Sequence, residues 1–213
     1  MTKIYLVSPE KIILDDFAKK LEEALSTKKI SVFQLRLKNI SEEEILNSCQ
    51  KLLPICHKFG VPFILNDDFE LALKVGASGV HIGKGDGNIK EIRQIVPENF
   101  IIGASCYDSR HLAMDAAESG VDYIAFGAFF PSITKKSCGR PKAEILEWAD
   151  MLLEVPTVAI GGINHQNCQE LIEAKADFIA VISYIWQNSA GVREAINNLA
   201  QICHATKNAE FVS

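Results

Sequence analysis

The stretch VFQLRLK, residues 32–38, has the alternating composition of a β-strand with cations on one side. Successive side chains of an extended strand point to opposite sides, so Phe33, Leu35 and Leu37 share one side. Gln34, Arg36 and Lys38 share the other. Cations are costly to bury, so the location of this second side depends on what surrounds the strand.

Similar apolar, β-branched runs recur along the chain, each followed by a polar turn and a stretch of helical periodicity. Eight runs are predicted as strands: 3–8, 32–38, 62–67, 79–84, 101–106, 123–130, 157–163 and 178–185. After the second run, Ser41 and Glu44 have the capping-box spacing of a helix start. Alternating strands and helices indicate an α/β fold with a parallel sheet, and eight strands can close a (β/α)8 TIM barrel.

An open, doubly wound sheet is the alternative architecture for this pattern. The closed barrel is favoured because no Gly-x-Gly-x-x-Gly turn follows the first run and polar residues cluster where many runs end. No linker, low-complexity tract or change in composition divides the chain. We therefore expect a single (β/α)8 barrel domain over residues 1–213.

Charge and composition argue against several classes of function. The 213 residues include 22 Lys and Arg against 27 Asp and Glu, a net charge of −5, without a long basic run. Binding to nucleic acid or to a membrane surface is therefore disfavoured. The N-terminus lacks a signal-peptide pattern and no segment is apolar enough to span a bilayer, so we expect a cytoplasmic protein. Assembly into a homo-oligomer stays open.

We look for candidate functional residues at the ends of the predicted strands, because active sites of (β/α)8 barrels form at the C-terminal face. These residues are Ser8, Arg36, Lys38, Asn66, Asp67, Lys84, Asp86, Ser105, Ser132, Thr134, Lys135, Gly161, Gly162 and Ser183. Unpaired charges inside the barrel would cost several kcal/mol each. Arg36 and Lys38 are therefore expected at the open mouth, facing acidic side chains or an anionic ligand.

Two carboxylates follow neighbouring strands of the predicted barrel. Asp67 follows the third strand and Asp86 the fourth. Hard oxygen ligands on adjacent loops suit a Mg²⁺ ion completed by waters and phosphate oxygens. With Arg36, Lys38 and Lys135 such a metal would surround a diphosphate with positive charge. The alternative is that both aspartates only form salt bridges with these cations.

The seventh and eighth strands end in IGGI (160–163) and VISYI (181–185). Loops after these two strands commonly bind a phosphate in (β/α)8 barrels, and glycine lets backbone N–H groups approach it closely. Two adjacent glycines are also an ordinary turn signal. Together with the predicted diphosphate site, the motif favours two phosphorylated ligands in one mouth.

Six motifs jointly resemble those of the thiamine phosphate synthase family over nearly the whole chain. They are QLRLK (34–38), LND (65–67), HIGKGD (81–86), GAFFPSITK (127–135), AIGGI (159–163) and VIS (181–183). The resemblance implies a barrel transferase that joins 4-amino-2-methyl-5-pyrimidinylmethyl diphosphate to a thiazole monophosphate. The products would be thiamine monophosphate and diphosphate, and Mg²⁺ would be the cofactor.

The resemblance also implies a role for each matching residue. The pyrimidine diphosphate would be bound by Gln34, Arg36, Lys38, Asn66, Ser105 and Lys135. Of these, Arg36, Lys38, Ser105 and Lys135 would also serve catalysis. Asp67 and Asp86 would bind Mg²⁺. The thiazole phosphate would be bound by Ser132, Thr134, Gly162, Ile182 and Ser183.

Three positions depart from the usual pattern of that family. Ser132 stands where threonine is usual and keeps the hydroxyl group. Lys84 stands where glutamine is usual, and Asp68 where arginine is usual. Lys84 adds a cation two residues from Asp86 and Asp68 adds an anion beside Asp67, and their effect on metal affinity stays open.

Other functions remain as alternatives to the synthase. A thiazole tautomerase would keep the thiazole phosphate site without the diphosphate and metal residues, all of which are present here. A phosphosugar epimerase or isomerase would use Asp67 and Asp86 to exchange substrate protons rather than to bind Mg²⁺. A catalytically silent barrel would only bind thiamine intermediates, and Lys84 and Asp68 are the sequence features that point to it.

Overall fold

The computed structural model describes residues 1–131 and 140–205 as an alternation of strands and helices. The strands are β1 (Lys3–Val7), β2 (Ile30–Leu35), β3 (Phe63–Asn66), β4 (Gly79–Ile82), β5 (Ile101–Tyr107), β6 (Tyr123–Gly127), β7 (Thr157–Ile160) and β8 (Phe178–Val181). The helices are α1 (Leu14–Ser26), α2 (Glu42–Phe59), α3 (Phe69–Val75), α4 (Ile89–Ile95), α5 (Arg110–Glu118), α6 (Glu144–Leu152), α7 (Cys168–Glu173), α8 (Ser183–Trp186) and α9 (Val192–Ala205). Within these ranges no helix has both the length and the apolar character needed to cross a membrane.

The strands close into a parallel barrel. Each strand is hydrogen-bonded to the next in sequence, and β8 pairs with β1, where Leu6 lies opposite Val181. The predicted (β/α)8 TIM barrel is therefore confirmed. The open doubly wound sheet is wrong, because the first and last strands pair with each other instead of forming two edges.

Several predicted strands extend too far at their C-terminal ends. β2 ends at Leu35, so Arg36 and Lys38 lie in the following loop. The sixth run ends as a strand at Gly127, and the eighth divides into β8 and the short helix α8. The apolar pattern continues past the last ladder bond because residues such as Phe129 and Ile185 remain buried, at 7% and 0% exposure. Burial and strand pairing therefore end at different residues.

Two apolar clusters hold the barrel together. The larger lies between strands and helices and includes Phe33 and Phe63, whose ring centroids are 5.7 Å apart. The smaller lies inside the barrel and includes Tyr5, Ala125 and Ala180. Alanines fill less of the interior than the large branched side chains common in such barrels. The inside of the barrel therefore leaves space toward its C-terminal end.

Side-chain caps fix the helix starts at the C-terminal rim of the barrel. Ser41 accepts a hydrogen bond from the Glu44 N–H, and Glu44 accepts one from the Ser41 N–H at 2.9 Å, which confirms the predicted capping box. Asp68, Asn88 and Ser109 cap α3, α4 and α5 in a similar way. Such caps satisfy N–H groups that a helix leaves unpaired. They hold the short loops around the mouth in place.

Candidate active site

A cavity of about 1070 Å³ opens at the C-terminal ends of the strands. Its lining includes the ten described residues to which the family resemblance gives a role: Gln34, Arg36, Lys38, Asn66, Asp67, Asp86, Ser105, Gly162, Ile182 and Ser183. Sites for small molecules typically measure roughly 300–1,000 Å³. The mouth therefore has room for two small ligands side by side.

Arg36 is held at the rim by two contacts. Its N–H donates to Ser8 Oγ at 2.8 Å, and its guanidinium donates to Glu10 Oε1 at 2.6 Å. The Arg36 side chain is 18% exposed. Because a buried charge is costly without a partner, Arg36 is paired with the acidic Glu10 at the mouth. A bound anion would contact Arg36 together with Glu10 or in its place.

Lys38, Asp67 and Asp86 form a charged cluster on the loops after β2, β3 and β4. The Lys38 ammonium donates to Asp67 Oδ2, and the Gly83 N–H donates to Asp86 Oδ2 at 3.0 Å. Asp67 has a left-handed backbone with a φ of 71°. That conformation is unfavourable for most residues other than glycine, although aspartate adopts it more readily than most, and it recurs at active sites and ligand-binding sites.

The two carboxylates of this cluster influence each other's ionisation. Burial raises the pKa of Asp67, but hydrogen bonds from Lys38 and Asp86 outweigh burial and hold it below its usual value. Burial raises the pKa of Asp86, and both the hydrogen bond and the negative charge of Asp67 raise it further. The pair therefore favours a shared positive charge between its members, either a proton or a cation.

The donor set of this pair fits a Mg²⁺ ion. Mg²⁺ prefers carboxylate oxygens together with waters and phosphate oxygens, and two carboxylates suffice when a phosphorylated ligand supplies the rest. Residues 1–131 and 140–205 contain no cluster of three or more His, Cys, Asp or Glu side chains that could hold a metal. A metal at Asp67 and Asp86 would therefore depend on the ligand for further oxygens.

Gln34 and Asn66 are joined across β2 and β3. The Gln34 amide donates to Asn66 Oδ1 at 2.7 Å, and Gln34 is only 4% exposed. This bond orients both amides. The predicted polar side of VFQLRLK therefore does point into the mouth, although only Gln34 of its three polar residues lies within the strand.

The opposite side of the mouth contains the ends of β7 and β8. Gly162 has a φ of 63°, and its carbonyl accepts a hydrogen bond from Asn167 Nδ2 at 3.0 Å. A Cβ atom at Gly162 would lie 2.5 Å from the Pro131 carbonyl oxygen, so the chain requires glycine there. Ile182 precedes α8, and Ser183 is its first residue. Ser132, Thr134 and Lys135 lie outside the described residues.

The structure gives local roles to the two unusual residues near the Asp67–Asp86 carboxylate pair. Asp68 caps α3 by accepting a hydrogen bond from the Leu71 N–H at 2.8 Å. Lys84 is exposed at the rim, where its N–H donates to the Tyr107 hydroxyl at 3.4 Å. The Asp68 carboxylate is thus engaged in a helix cap, and Lys84 adds a cation to the lining of the cavity.

Three buried residues of the mouth were not nominated from the sequence. The Tyr5 and Tyr123 hydroxyl oxygens lie 2.7 Å apart, and the Tyr123 oxygen lies 3.0 Å from His81 Nδ1. His81 Nε2 lies 2.8 Å from Ser105 Oγ. Inward residues of β4 could have been found from its alternation, because Val80 and Ile82 pack toward the helices and place His81 on the inner side.

The fold and the mouth together define a class of protein. A closed (β/α)8 barrel whose C-terminal mouth combines a large cavity, clustered cations and a carboxylate pair of shifted pKa has the features of a barrel enzyme. The position of the charges indicates an enzyme for anionic ligands.

Comparisons with known proteins identify the family within this class. Residues 4–185 match the family described as thiamine monophosphate synthase. The chain is 43% identical over 204 residues to a thiamine-phosphate synthase of Erythrobacter litoralis, covering 94% of each chain. It is 42% identical over 200 residues to that of Rhodospirillum centenum, covering 94% of this chain and 97% of the relative.

A solved structure gives the same result. The thiamine phosphate pyrophosphorylase from Pyrococcus furiosus superposes with a TM-score of 0.82 at 31% identity, over 95% of this chain and 96% of that one. The chain belongs to the thiamine monophosphate synthase family and is a transferase. The family resemblance of its six motifs is confirmed.

Proposed function

We propose that this protein joins 4-amino-2-methyl-5-pyrimidinylmethyl diphosphate to a thiazole monophosphate and releases thiamine monophosphate and diphosphate. Membership of the family supports this reaction. The strongest structural support for this reaction is the cluster of Lys38, Asp67 and Asp86, which lines the same cavity as Arg36. Together these residues offer a diphosphate two cations and a carboxylate pair suited to a metal ion.

The pyrimidine diphosphate is assigned to the side of the mouth formed after β2 to β5. Arg36 and Lys38 neutralise the diphosphate, and Lys135, which lies outside the described residues, would add a third cation. Gln34, Asn66 and Ser105 are assigned to hydrogen bonds with this substrate. The bond between Gln34 and Asn66 supports that assignment, because it leaves both amides with fixed directions.

The thiazole phosphate is assigned to the side formed after β6 to β8. Gly162 and the Ile182–Ser183 pair would bind its phosphate largely through backbone groups, together with Ser132 and Thr134. The left-handed turn at Gly162 supports this, because it presents backbone rather than a side chain to the cavity. Two phosphorylated substrates would then lie on opposite sides of one cavity.

The reaction needs no nucleophile from the protein. The bond between the pyrimidinylmethyl carbon and the diphosphate oxygen breaks, and its electron pair leaves with the diphosphate. The thiazole nitrogen supplies the electron pair of the new carbon–nitrogen bond. Arg36 and Lys38 stabilise the charge that develops on the leaving group, an effect worth roughly 3 kcal/mol for a single preorganised donor.

Asp67 and Asp86 are the residues we assign to Mg²⁺. When bound there, the ion would supply further neutralisation of the leaving diphosphate. Lys38 would then share Asp67 with the metal or move to a diphosphate oxygen. A cytoplasmic location stays a prediction, and the oligomeric state stays open.

The product of the reaction provides the test. Purified protein is incubated with both phosphorylated substrates and Mg²⁺, and thiamine monophosphate is measured by mass spectrometry with each substrate omitted in turn. We expect thiamine monophosphate and diphosphate in equal amounts, and only when both substrates are present. Conversion of the thiazole phosphate alone, without condensation, would instead identify a tautomerase.

A further inference from the structure

Tyr5, Tyr123, His81 and Ser105 form a hydrogen-bonded chain at the floor of the mouth. The first three are 2%, 6% and 8% exposed, so the chain is largely shielded from bulk water. The His81 ring stacks on the Tyr123 ring with centroids 5.6 Å apart and an interplanar angle of 19°. Position and orientation of the imidazole are therefore fixed by both stacking and hydrogen bonding.

A donor at one end gives this hydrogen-bonded chain a direction. Either hydroxyl of the Tyr5–Tyr123 pair could donate, and we infer that Tyr5 donates to the Tyr123 oxygen, because this hydrogen bond raises the pKa of Tyr5 and acts to lower that of Tyr123. Tyr123 is then left to donate its one proton to His81 Nδ1. A neutral imidazole that accepts at one nitrogen donates from the other, so His81 Nε2–H donates to Ser105 Oγ.

Burial also affects the ionisation of the two phenols. Burial raises the pKa of Tyr5 well above its ordinary value, and burial also raises the pKa of Tyr123. Both hydroxyl groups therefore keep their protons and remain donors.

The β5 backbone leaves space for this hydrogen-bonded chain of side chains. Gly103 on β5 lies opposite His81 on one side and Tyr123 on the other. A methyl group at Gly103 would overlap the Tyr123 ring. Glycine in the middle of a strand weakens it, and a close approach by a neighbouring group is a common reason for its presence. The sequence thus provides space for Tyr123 at the point where its hydroxyl meets His81.

We propose that His81 is a positioning residue that directs the Ser105 hydroxyl proton toward the bound pyrimidine diphosphate. By donating from Nε2, His81 occupies an acceptor position of Ser105 Oγ and leaves the serine proton for an acceptor atom of the substrate. Without that donor, Ser105 would be free to rotate its proton away from the cavity. The inference rests on the proposed function, which assigns this substrate to Ser105.

The tautomer of His81 tests the direction of the chain in the wild-type protein without substrate. The protein is labelled with ¹⁵N-histidine and observed by NMR at about pH 8, where an ordinary histidine is neutral. The other four histidines, His57, His111, His165 and His204, are exposed, which separates their signals from the buried one. We expect the proton of His81 on Nε2. A proton on Nδ1, or on both nitrogens, overturns the proposal whatever reaction the protein catalyses.

A double-mutant cycle tests whether His81 acts through Ser105. The variants are His81→Phe, which keeps a flat ring to stack on Tyr123, Ser105→Ala, and the two combined. We expect each single variant to lower kcat by about tenfold or more, with KM for the thiazole phosphate nearly unchanged. In the Ser105→Ala background, His81→Phe should then lower kcat by less than about twofold.

Tyrosine variants provide the matched control and a second route if His81→Phe does not fold. Tyr123→Phe removes the donor to Nδ1, so it should lower kcat by nearly as much as His81→Phe. Tyr5→Phe leaves Tyr123 free to donate to His81 and should cost less, about threefold or below. The proposal is overturned if the kcat losses of His81→Phe and Ser105→Ala are independent, so that their ratios multiply in the double variant. It is also overturned if Tyr5→Phe lowers kcat more than Tyr123→Phe does.

Discussion

Lys38 and Asp67 form an ion pair at the rim of the barrel mouth, linking the loop after β2 to the loop after the neighbouring strand β3. Asp86 adds a second carboxylate to the same cluster, and its pKa is raised where that of Asp67 is lowered. The cluster therefore holds more negative charge than Lys38 alone balances. A site arranged for a further cation is expected to lose some stability in the absence of that cation.

Asp86→Asn should raise the melting temperature at neutral pH without metal, because it removes repulsion from Asp67. Asp86 is exposed, so we expect a gain of only about 1–2 °C. A carboxylate with a raised folded-state pKa destabilises the folded state above that pKa, and protonation relieves the penalty as the pH falls through it. The gain should therefore shrink in acid, where wild-type Asp86 is also neutral. Melting curves across this range check both points, and a loss of stability at neutral pH would contradict the repulsion.

Mg²⁺ should raise the melting temperature of the wild-type protein in the absence of substrates, and EDTA should abolish turnover. When the free Mg²⁺ concentration is ten times its dissociation constant, binding adds about 1.4 kcal/mol to the free energy of unfolding. For a protein of this size that raises the melting temperature by roughly 3 °C. Combined replacement of Asp67 and Asp86 by asparagine should remove the shift. The exposed Asp150→Asn serves as the matched control and should retain it. Undiminished turnover in excess EDTA would refute the metal assignment.

Gly162→Ala should raise KM for the thiazole phosphate more than KM for the pyrimidine diphosphate. An added Cβ would meet the Pro131 carbonyl oxygen at 2.5 Å and the Phe130 Cβ at 2.9 Å, so the turn must shift. Gly60→Ala is the matched control, because Gly60 has a similar φ of 66° with nothing within 4 Å of the added atom. Both variants should lose about 1–2 kcal/mol of stability from the left-handed backbone. Equal changes in both KM values would remove Gly162 from the phosphate site.

The fold was predictable because its signals are local and repeated. Eight apolar runs separated by helical stretches were enough to predict the closed barrel, and alternation within VFQLRLK placed Gln34 on the inner side. The ends of the strands were not predictable in the same way. Phe129 and Ile185 stay buried after their strands have ended, so hydrophobicity alone extends the strand too far.

The hydrogen-bonded chain at the floor of the mouth was missed for a different reason. Tyr5 and Tyr123 are 118 positions apart, and His81 is 42 positions from Tyr123. Only the closed barrel brings these residues together, and each alone resembles an ordinary buried aromatic residue of a strand. Asp68, by contrast, carries a local signal. An aspartate directly before a helix is a common N-cap, but Asp68 was considered only as a departure from the family pattern.

The most direct test of the central claim, that cations at this mouth stabilise a departing diphosphate, is kcat of Arg36→Met at saturating substrates, measured beside its melting temperature. Glu10→Gln is the matched variant, because it removes the negative charge of the Arg36 partner and keeps the cation. We expect Arg36→Met to lower kcat about a hundredfold or more while the melting temperature changes little, and Glu10→Gln to stay within about threefold of the wild type. A folded Arg36→Met protein that retains most of the wild-type kcat would contradict the claim and leave the Arg36–Glu10 pair as a structural salt bridge.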